Sequence, residues 1–138
     1  MKTLIVEDDF TSRLLLHTLL SRYGDCQVAV DGQEAVMAFT RAMEEKAPFD
    51  LICMDTMMPG MDGHEALQTI RALEKEREVP EEREVKIIMT TALDDPKNVV
   101  QAYYKGGATS YLVKPIDRGR LLQELSLLGL LDRDRDED

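Results

Sequence analysis

Short apolar runs alternate with longer amphipathic stretches along this chain, and that alternation restricts its fold more than any other feature. Thr3 to Val6, Gln27 to Val30, Leu51 to Met54, Val85 to Thr90 and Ser110 to Val113 are short and rich in β-branched or apolar residues, as strands covered on both faces are. Between them, Leu15, Leu16, Leu19, Leu20 and Tyr23 recur at helical spacing, as do Val36, Phe39 and Met43, then Ala66, Leu67, Ile70 and Leu73. Val99, Val100 and Tyr103 supply a fourth helix, and Leu121, Leu122, Leu125 and Leu128 a fifth. Punctuation agrees: Gly24 ends the first helix, Asp62 caps the third, Asp95 caps the fourth with Pro96 at its first position, and Asp117 caps the fifth. The reading is an α/β chain, (βα)5, whose parallel sheet carries helices on both faces as a three-layer sandwich.

Composition limits what such a chain does. At 138 residues it has the length of one domain and can bury a real core. Its 27 acidic residues against 17 basic ones leave a net charge of -10, which repels phosphate backbones and anionic membranes. No nucleic acid and no membrane are expected as partners; cations and basic protein surfaces are. No apolar run approaches the roughly 20 residues of a bilayer span, and the start turns acidic at Glu7, too early for a signal peptide, so a cytoplasmic protein is expected. Cys26 and Cys53 lack companions at metal-ligand spacing, and with a strand between theirs they stand too far apart to bridge. His17 and His64 lie on helices without a partner at ligand spacing and read as surface residues.

Two stretches stand outside the alternation. Glu74 to Glu84 is almost entirely charged around Val79 and Pro80, and reads as the end of the third helix followed by a solvated connector. The segment 132–138 offers no apolar residue for burial. The expected division is a folded domain over residues 1–131 and an acidic, mobile tail over 132–138.

In an open parallel sheet, ligands bind beyond the carboxyl ends of the strands, where the strand order reverses. The first strand ends in Glu7-Asp8-Asp9, the third in Asp55, the fourth in Thr90-Thr91-Ala92 and the fifth in Lys114-Pro115. A flavodoxin-like order of 2-1-3-4-5 sets the first and third strands side by side and brings Glu7 and Asp8 to Asp55. Carboxylates so close raise one another's proton affinity unless a cation intervenes, and hard oxygen ligands of this kind suit Mg²⁺, or Mn²⁺. With Lys114 arriving from another strand and a hydroxyl from Thr91, the set can hold a phosphoryl group, whose spread charge needs several cations. Asp55, projecting from an apolar strand into the mouth of the crevice, is the candidate nucleophile. Asp9 reads as an exposed helix-start residue rather than a further ligand.

These residues resemble the receiver domains of two-component response regulators, in their stand-alone, chemotaxis-regulator-like form. The resemblance runs from about Lys2 to Leu128 and rests on Glu7-Asp8, on Asp55 followed by Met58-Pro59-Gly60-Met61-Asp62-Gly63, on Thr91-Ala92, and on Tyr111 with Lys114-Pro115. It implies a phosphorylation-dependent signalling switch in which Asp55 accepts phosphate from a sensor histidine kinase or a histidine phosphotransfer protein. It also implies Mg²⁺ bound by Asp8, Asp55 and the backbone carbonyl of Met57, with Glu7 acting mainly through water. Lys114 and Thr91 would contact the phosphoryl oxygens, Ala92 would leave Thr91 room to move, Tyr111 would be the switch aromatic, and the Lys114-Pro115 peptide would be cis. The downstream target would read the fourth helix, fifth strand and fifth helix, on a monomer or a phosphorylation-dependent dimer.

The pattern departs from the family in places. Glu7 stands where Asp is more frequent, and the segments before the fourth helix and the fourth strand look extended. Met57 and Leu93 flank the path of an attacking water that neither can orient, so a long-lived Asp55 phosphate is expected. Because no output domain follows Leu131, the effect is expected to act through protein contact, and no substrate turnover is expected beyond self-phosphorylation and dephosphorylation. Two alternatives stand beside this reading: a phosphorylation-independent receiver-like binding module, and a haloacid-dehalogenase-type phosphatase. The phosphatase resembles Asp-x-Asp after the strand, but Met57 occupies the place of its general acid.

Overall fold

The computed structural model describes residues 1–92 and 107–131. Its strands are β1 (Thr3–Val6), β2 (Cys26–Ala29), β3 (Leu51–Asp55), β4 (Lys86–Thr91) and β5 (Ser110–Val113), all parallel, in the order β2-β1-β3-β4-β5. The helices among the described residues are α1 (Phe10–Leu20), α2 (Gly32–Glu44), α3 (Gly63–Glu76) and a C-terminal helix (Arg118–Leu127). The helix expected around Val99, Val100 and Tyr103, with its cap at Asp95, lies outside the described residues, as does the tail 132–138.

The central strands β1 and β3 are buried along their whole length, which is why they read as continuous apolar runs rather than alternating ones. Alternate residues feed two cores. Leu4, Val6, Ile52, Met54, Ile87 and Met89 pack with Phe39, Leu67 and Ile70 under α2 and α3. Ile5, Cys53, Ile88 and Leu112 pack with Leu16, Leu20, Leu121 and Leu125 under α1 and the C-terminal helix. The sheet is thus the middle of three layers, as expected.

The described helices share one starting device. Asp9, Asp31, Asp62 and Asp117 precede α1, α2, α3 and the C-terminal helix, and each carboxylate accepts the backbone N–H three residues on, from Ser12, Glu34, Glu65 and Arg120. The bond to Ser12 also holds the exposed Asp9 carboxyl below its usual range, so Asp9 is the helix-start residue expected of it. Gly24 follows the 3-10 turn (Ser21–Tyr23) that extends α1; it sits at φ 148°, and a Cβ there would lie 1.7 Å from the Met1 carbonyl oxygen.

Several expectations need correction. β2 ends at Ala29 and Val30 is exposed, because β2 is an edge strand with a partner on one side only. Leu15 is exposed although it belongs to the helical stripe; α1 buries Leu16 and Leu20, a narrow seam that leaves Leu14 and Leu15 facing out. His17 is exposed as expected, whereas His64 is half-buried, its two ring nitrogens shielded from solvent and without a hydrogen-bond partner among the described residues. Glu74 corrects the reading of the charged stretch most sharply. Its side chain is 2% exposed and takes the Arg71 guanidinium at 2.7 Å. The rest of the connector, beyond the end of α3, is largely exposed. Cys26 and Cys53 are free thiols on β2 and β3 with β1 between them, and burial pushes Cys53 up to about 12.

Candidate functional site

Each strand of the central pair hands an acid to the same edge of the sheet. Glu7 follows β1 directly and is buried, its N–H bonded to the Ala29 carbonyl and its own carbonyl held by the Arg13 guanidinium at 3.0 Å. Asp8 beside it is exposed. Asp55 is the last residue of β3, in register with Thr90 of β4, and is 7% exposed. Carboxylate oxygens of Glu7, Asp8 and Asp55 all lie within 4.8 Å of one another.

Gly63 makes this arrangement possible. A Cβ at Gly63 would lie 2.1 Å from the Asp55 carbonyl oxygen, so α3 can start against the end of β3 only through a glycine. The Gly63 N–H bonds the Thr56 carbonyl, and the Met57 N–H reaches the Asp55 carboxylate at 3.2 Å.

Lys114 closes the cluster from β5. Its N–H is bonded to the Thr91 carbonyl at 2.8 Å, and the Lys114-Pro115 peptide is cis. The ammonium lies 2.5 Å from Glu7 Oε1 and 3.3 Å from Asp55 Oδ2. Thr91 is fully buried at the end of β4, and Ala92 after it is exposed. Tyr111, on β5, is half-buried against the α2–α3 core, and burial pushes its hydroxyl up to about 12. Met57 is largely exposed beside Asp55, whereas Leu93 lies outside the described residues.

One ammonium does not neutralise three carboxylates. Burial, reinforced by the adjoining Asp55, raises the Glu7 carboxyl to about 7 against the opposing pull of Lys114. Burial works against the Lys114 ammonium too, but its bond to Glu7 and the charge of Asp55 outweigh this and hold it above the usual lysine value. Glu7 Oε2 remains buried without a hydrogen-bond partner among the described residues. An orphaned carboxylate oxygen among clustered acids is the donor set of a hard divalent cation, so the residues present fit one.

The titration of Glu7 has a definite sign. An acid whose pKa is higher in the folded chain than in the unfolded one favours the fold fully below the unfolded value, and that contribution is lost as pH rises through the folded value. Without added divalent cation, the protein is expected to lose stability relative to a Glu7→Gln variant as pH rises through about 7, and added cation to offset the loss. Thermal unfolding on either side of that pH measures both; parallel behaviour of the two proteins would remove Glu7 as the titrating group.

The sequence model of the response regulator receiver domain matches residues 3–126. The chain belongs to the receiver domain family. It is 38% identical over 122 residues to the sensor protein GacS of Pseudomonas syringae pv. syringae, covering 88% of this chain and 13% of that protein. It is 34% identical over 127 residues to the chemotaxis protein CheY-3 of Vibrio cholerae, covering 91% of this chain and 88% of that one. The chain spans only 13%, 12% and 19% of the length of the first three curated relatives it matches. Among solved structures it is similar, with a TM-score of 0.77 and 26% identity, to a chain in the co-crystal of the Saccharomyces cerevisiae histidine phosphotransfer signaling protein Ypd1 with the receiver domain of its downstream response regulator Ssk1; 96% of this chain and 93% of that one are covered. Receiver domains are switches of two-component and phosphorelay signalling, and the acid cluster at the end of β1 and β3 stands where this receiver's sheet order reverses.

Sequence reasoning passed over two groups at this edge, the Arg13 guanidinium on the Glu7 carbonyl and the Thr56 hydroxyl beside Thr91. Arg13 carries no local mark among helix residues. Thr56 does: it is a polar residue directly after an apolar strand and its acid, yet it is 2% exposed.

Proposed function

We propose that the chain accepts a phosphoryl group on Asp55 from a sensor histidine kinase or a histidine phosphotransfer protein and then signals by protein contact. The observation that carries this reading is the buried Asp55 carboxylate held 3.3 Å from the Lys114 ammonium within a cluster of three acids. A carboxylate Oδ of Asp55 attacks the phosphorus; the O–P bond forms as the N–P bond to the donor imidazole breaks, and the electron pair stays on the imidazole nitrogen. Lys114 neutralises charge on the phosphoryl oxygens, and the Thr91 hydroxyl donates to one of them. Asp8, Asp55 and the Met57 carbonyl would hold Mg²⁺ directly, or Mn²⁺ in its place, with Glu7 acting through water; the cation would supply further charge neutralisation for the transferring group.

In this reading Ala92 gives Thr91 room, and Tyr111, on β5 three residues before Lys114, responds to the movement of Thr91. The protein works in the cytoplasm as a phosphoacceptor, and turnover of a separate substrate is not part of its role. Helix α1 begins immediately beyond Glu7-Asp8, and Phe10, Leu14 and Leu15 on it are exposed apolar residues, which supports donor docking there. Val113 and Leu127 are exposed on β5 and the C-terminal helix, the described part of the surface assigned to the downstream target. The folded unit is residues 1–131, with 132–138 as an acidic extension.

Incubation with acetyl phosphate and Mg²⁺, followed by intact-mass measurement, tests the reading. A gain of one phosphoryl group that is absent in Asp55→Asn is expected. A wild-type chain that stays unmodified under these conditions overturns it in favour of a phosphorylation-independent binding module.

A further inference from the structure

Thr56 lies directly after Asp55, and its polar side chain is 2% exposed. Its hydroxyl donates to the Thr91 hydroxyl at 3.4 Å, and both side chains are buried. Neither hydroxyl stands among the orphaned buried polar atoms, so each satisfies the other. The backbone around the pair is pinned on both sides. The Thr56 N–H bonds the Thr90 carbonyl at 3.0 Å, and the Lys114 N–H bonds the Thr91 carbonyl at 2.8 Å. With the β4 backbone tied to β3 and to the end of β5, the remaining freedom at this point is rotation of the Thr91 side chain between its few staggered wells.

We infer that Thr56 is a positioning residue that holds the Thr91 hydroxyl away from the phosphoryl position in the resting protein. The inference rests on the proposed role of Thr91 toward a phosphoryl group on Asp55. When Thr91 turns to that group, the Thr56 hydroxyl is left buried without its partner, and the cost opposes the switched state. The contact is long for a hydroxyl–hydroxyl bond. A latch of this kind raises the threshold for switching while remaining weak enough to yield to a charged oxygen.

Three variants separate the hydroxyl from the shape of the side chain. Thr56→Val removes the hydroxyl and keeps the volume, Thr56→Ala removes both, and Thr56→Ser restores the hydroxyl. The first readout is the affinity of the resting protein for the phosphoryl mimic beryllofluoride with Mg²⁺, an equilibrium quantity that obeys linkage. Thr56→Val and Thr56→Ala are expected to bind about five- to tenfold tighter than wild type, the scale of one orphaned buried hydroxyl removed from the switched state, and Thr56→Ser to match wild type. The second readout, the Thr91 methyl resonance of the protein without ligand, involves no phosphoryl chemistry; it is expected to shift in the Val and Ala variants and to return in Ser. Equal beryllofluoride affinity across all forms, or a Thr91 resonance indifferent to the hydroxyl, overturns the latch. Failure of wild type to take a phosphoryl group from acetyl phosphate instead overturns the functional reading, and the methyl resonance still decides whether the resting contact exists.

Discussion

Lys114→Ala is expected to lower the rate of phosphorylation by acetyl phosphate by about 10²–10³-fold, the loss that follows removal of one preorganised charge donor from a site where negative charge develops. The ammonium is the one cation among the described residues within 3.3 Å of Asp55, and it also touches Glu7 at 2.5 Å. Its removal therefore costs the transferring group its nearest positive charge and costs the acid cluster its neutralising partner. Lys114→Arg is not expected to rescue the rate, because a planar guanidinium cannot occupy a point-like ammonium position between two carboxylates. The fold is expected to survive, since Glu7 already retains its proton up to about pH 7 and can hold it more tightly still. Time-resolved intact mass measures the rate, and the decay after donor removal reads the long lifetime expected from Met57, which offers an attacking water neither an acid nor an amide. A rate within fivefold of wild type would take Lys114 out of the chemistry.

Arg71→Ala is expected to destabilise the fold by about 3–5 kcal/mol, the scale for stranding a buried charge by removing its partner. Glu74 accepts the Val85 N–H at 2.7 Å as well as the guanidinium. Arg71 in turn donates to the carbonyls of Val85 and Gly107 and reaches the Thr109 hydroxyl, which itself accepts the Ile87 N–H. One network thus ties the last turn of α3 to the start of β4 and to the approach to β5, at the end of the sheet opposite the acid cluster. Adding Glu74→Gln to Arg71→Ala is expected to restore part of the loss, because the amide still accepts the Val85 N–H and no charge is left unpaired. Urea unfolding of the single and double variants measures this. A double variant no more stable than Arg71→Ala would show that lost hydrogen bonds, rather than the stranded carboxylate, set the cost.

The contrast between Glu74 and Glu7 shows what local sequence carries. Glu7, Asp8 and Asp55 are legible because each stands at the end of an apolar strand, and parallel strands bring such ends to one edge. Glu74 sits inside a run of charges with no local mark of burial; its environment is created by Arg71 one turn earlier and by the Val85 N–H eleven residues on. Leu15 errs in the opposite direction. It matches the helical stripe, but how wide a face α1 buries depends on how it lies across β1 and β2, which periodicity does not specify.

The sequence by itself determined the order of strands and helices, the aspartates that start α1, α3 and the C-terminal helix, and the acids gathered at the strand ends, because these follow from local periodicity, capping chemistry and the chirality of parallel sheets. Only the tertiary structure decided which charges are buried, that Lys114 rests on Glu7 at 2.5 Å as well as near Asp55, and that the Thr56 hydroxyl occupies Thr91. Those contacts join residues 107, 59 and 35 positions apart, with geometry set by strand register and side-chain burial rather than by any local pattern. The physical reason is that polar groups inside a low-dielectric core must find partners, and the available partners are known only once the chain has closed around them.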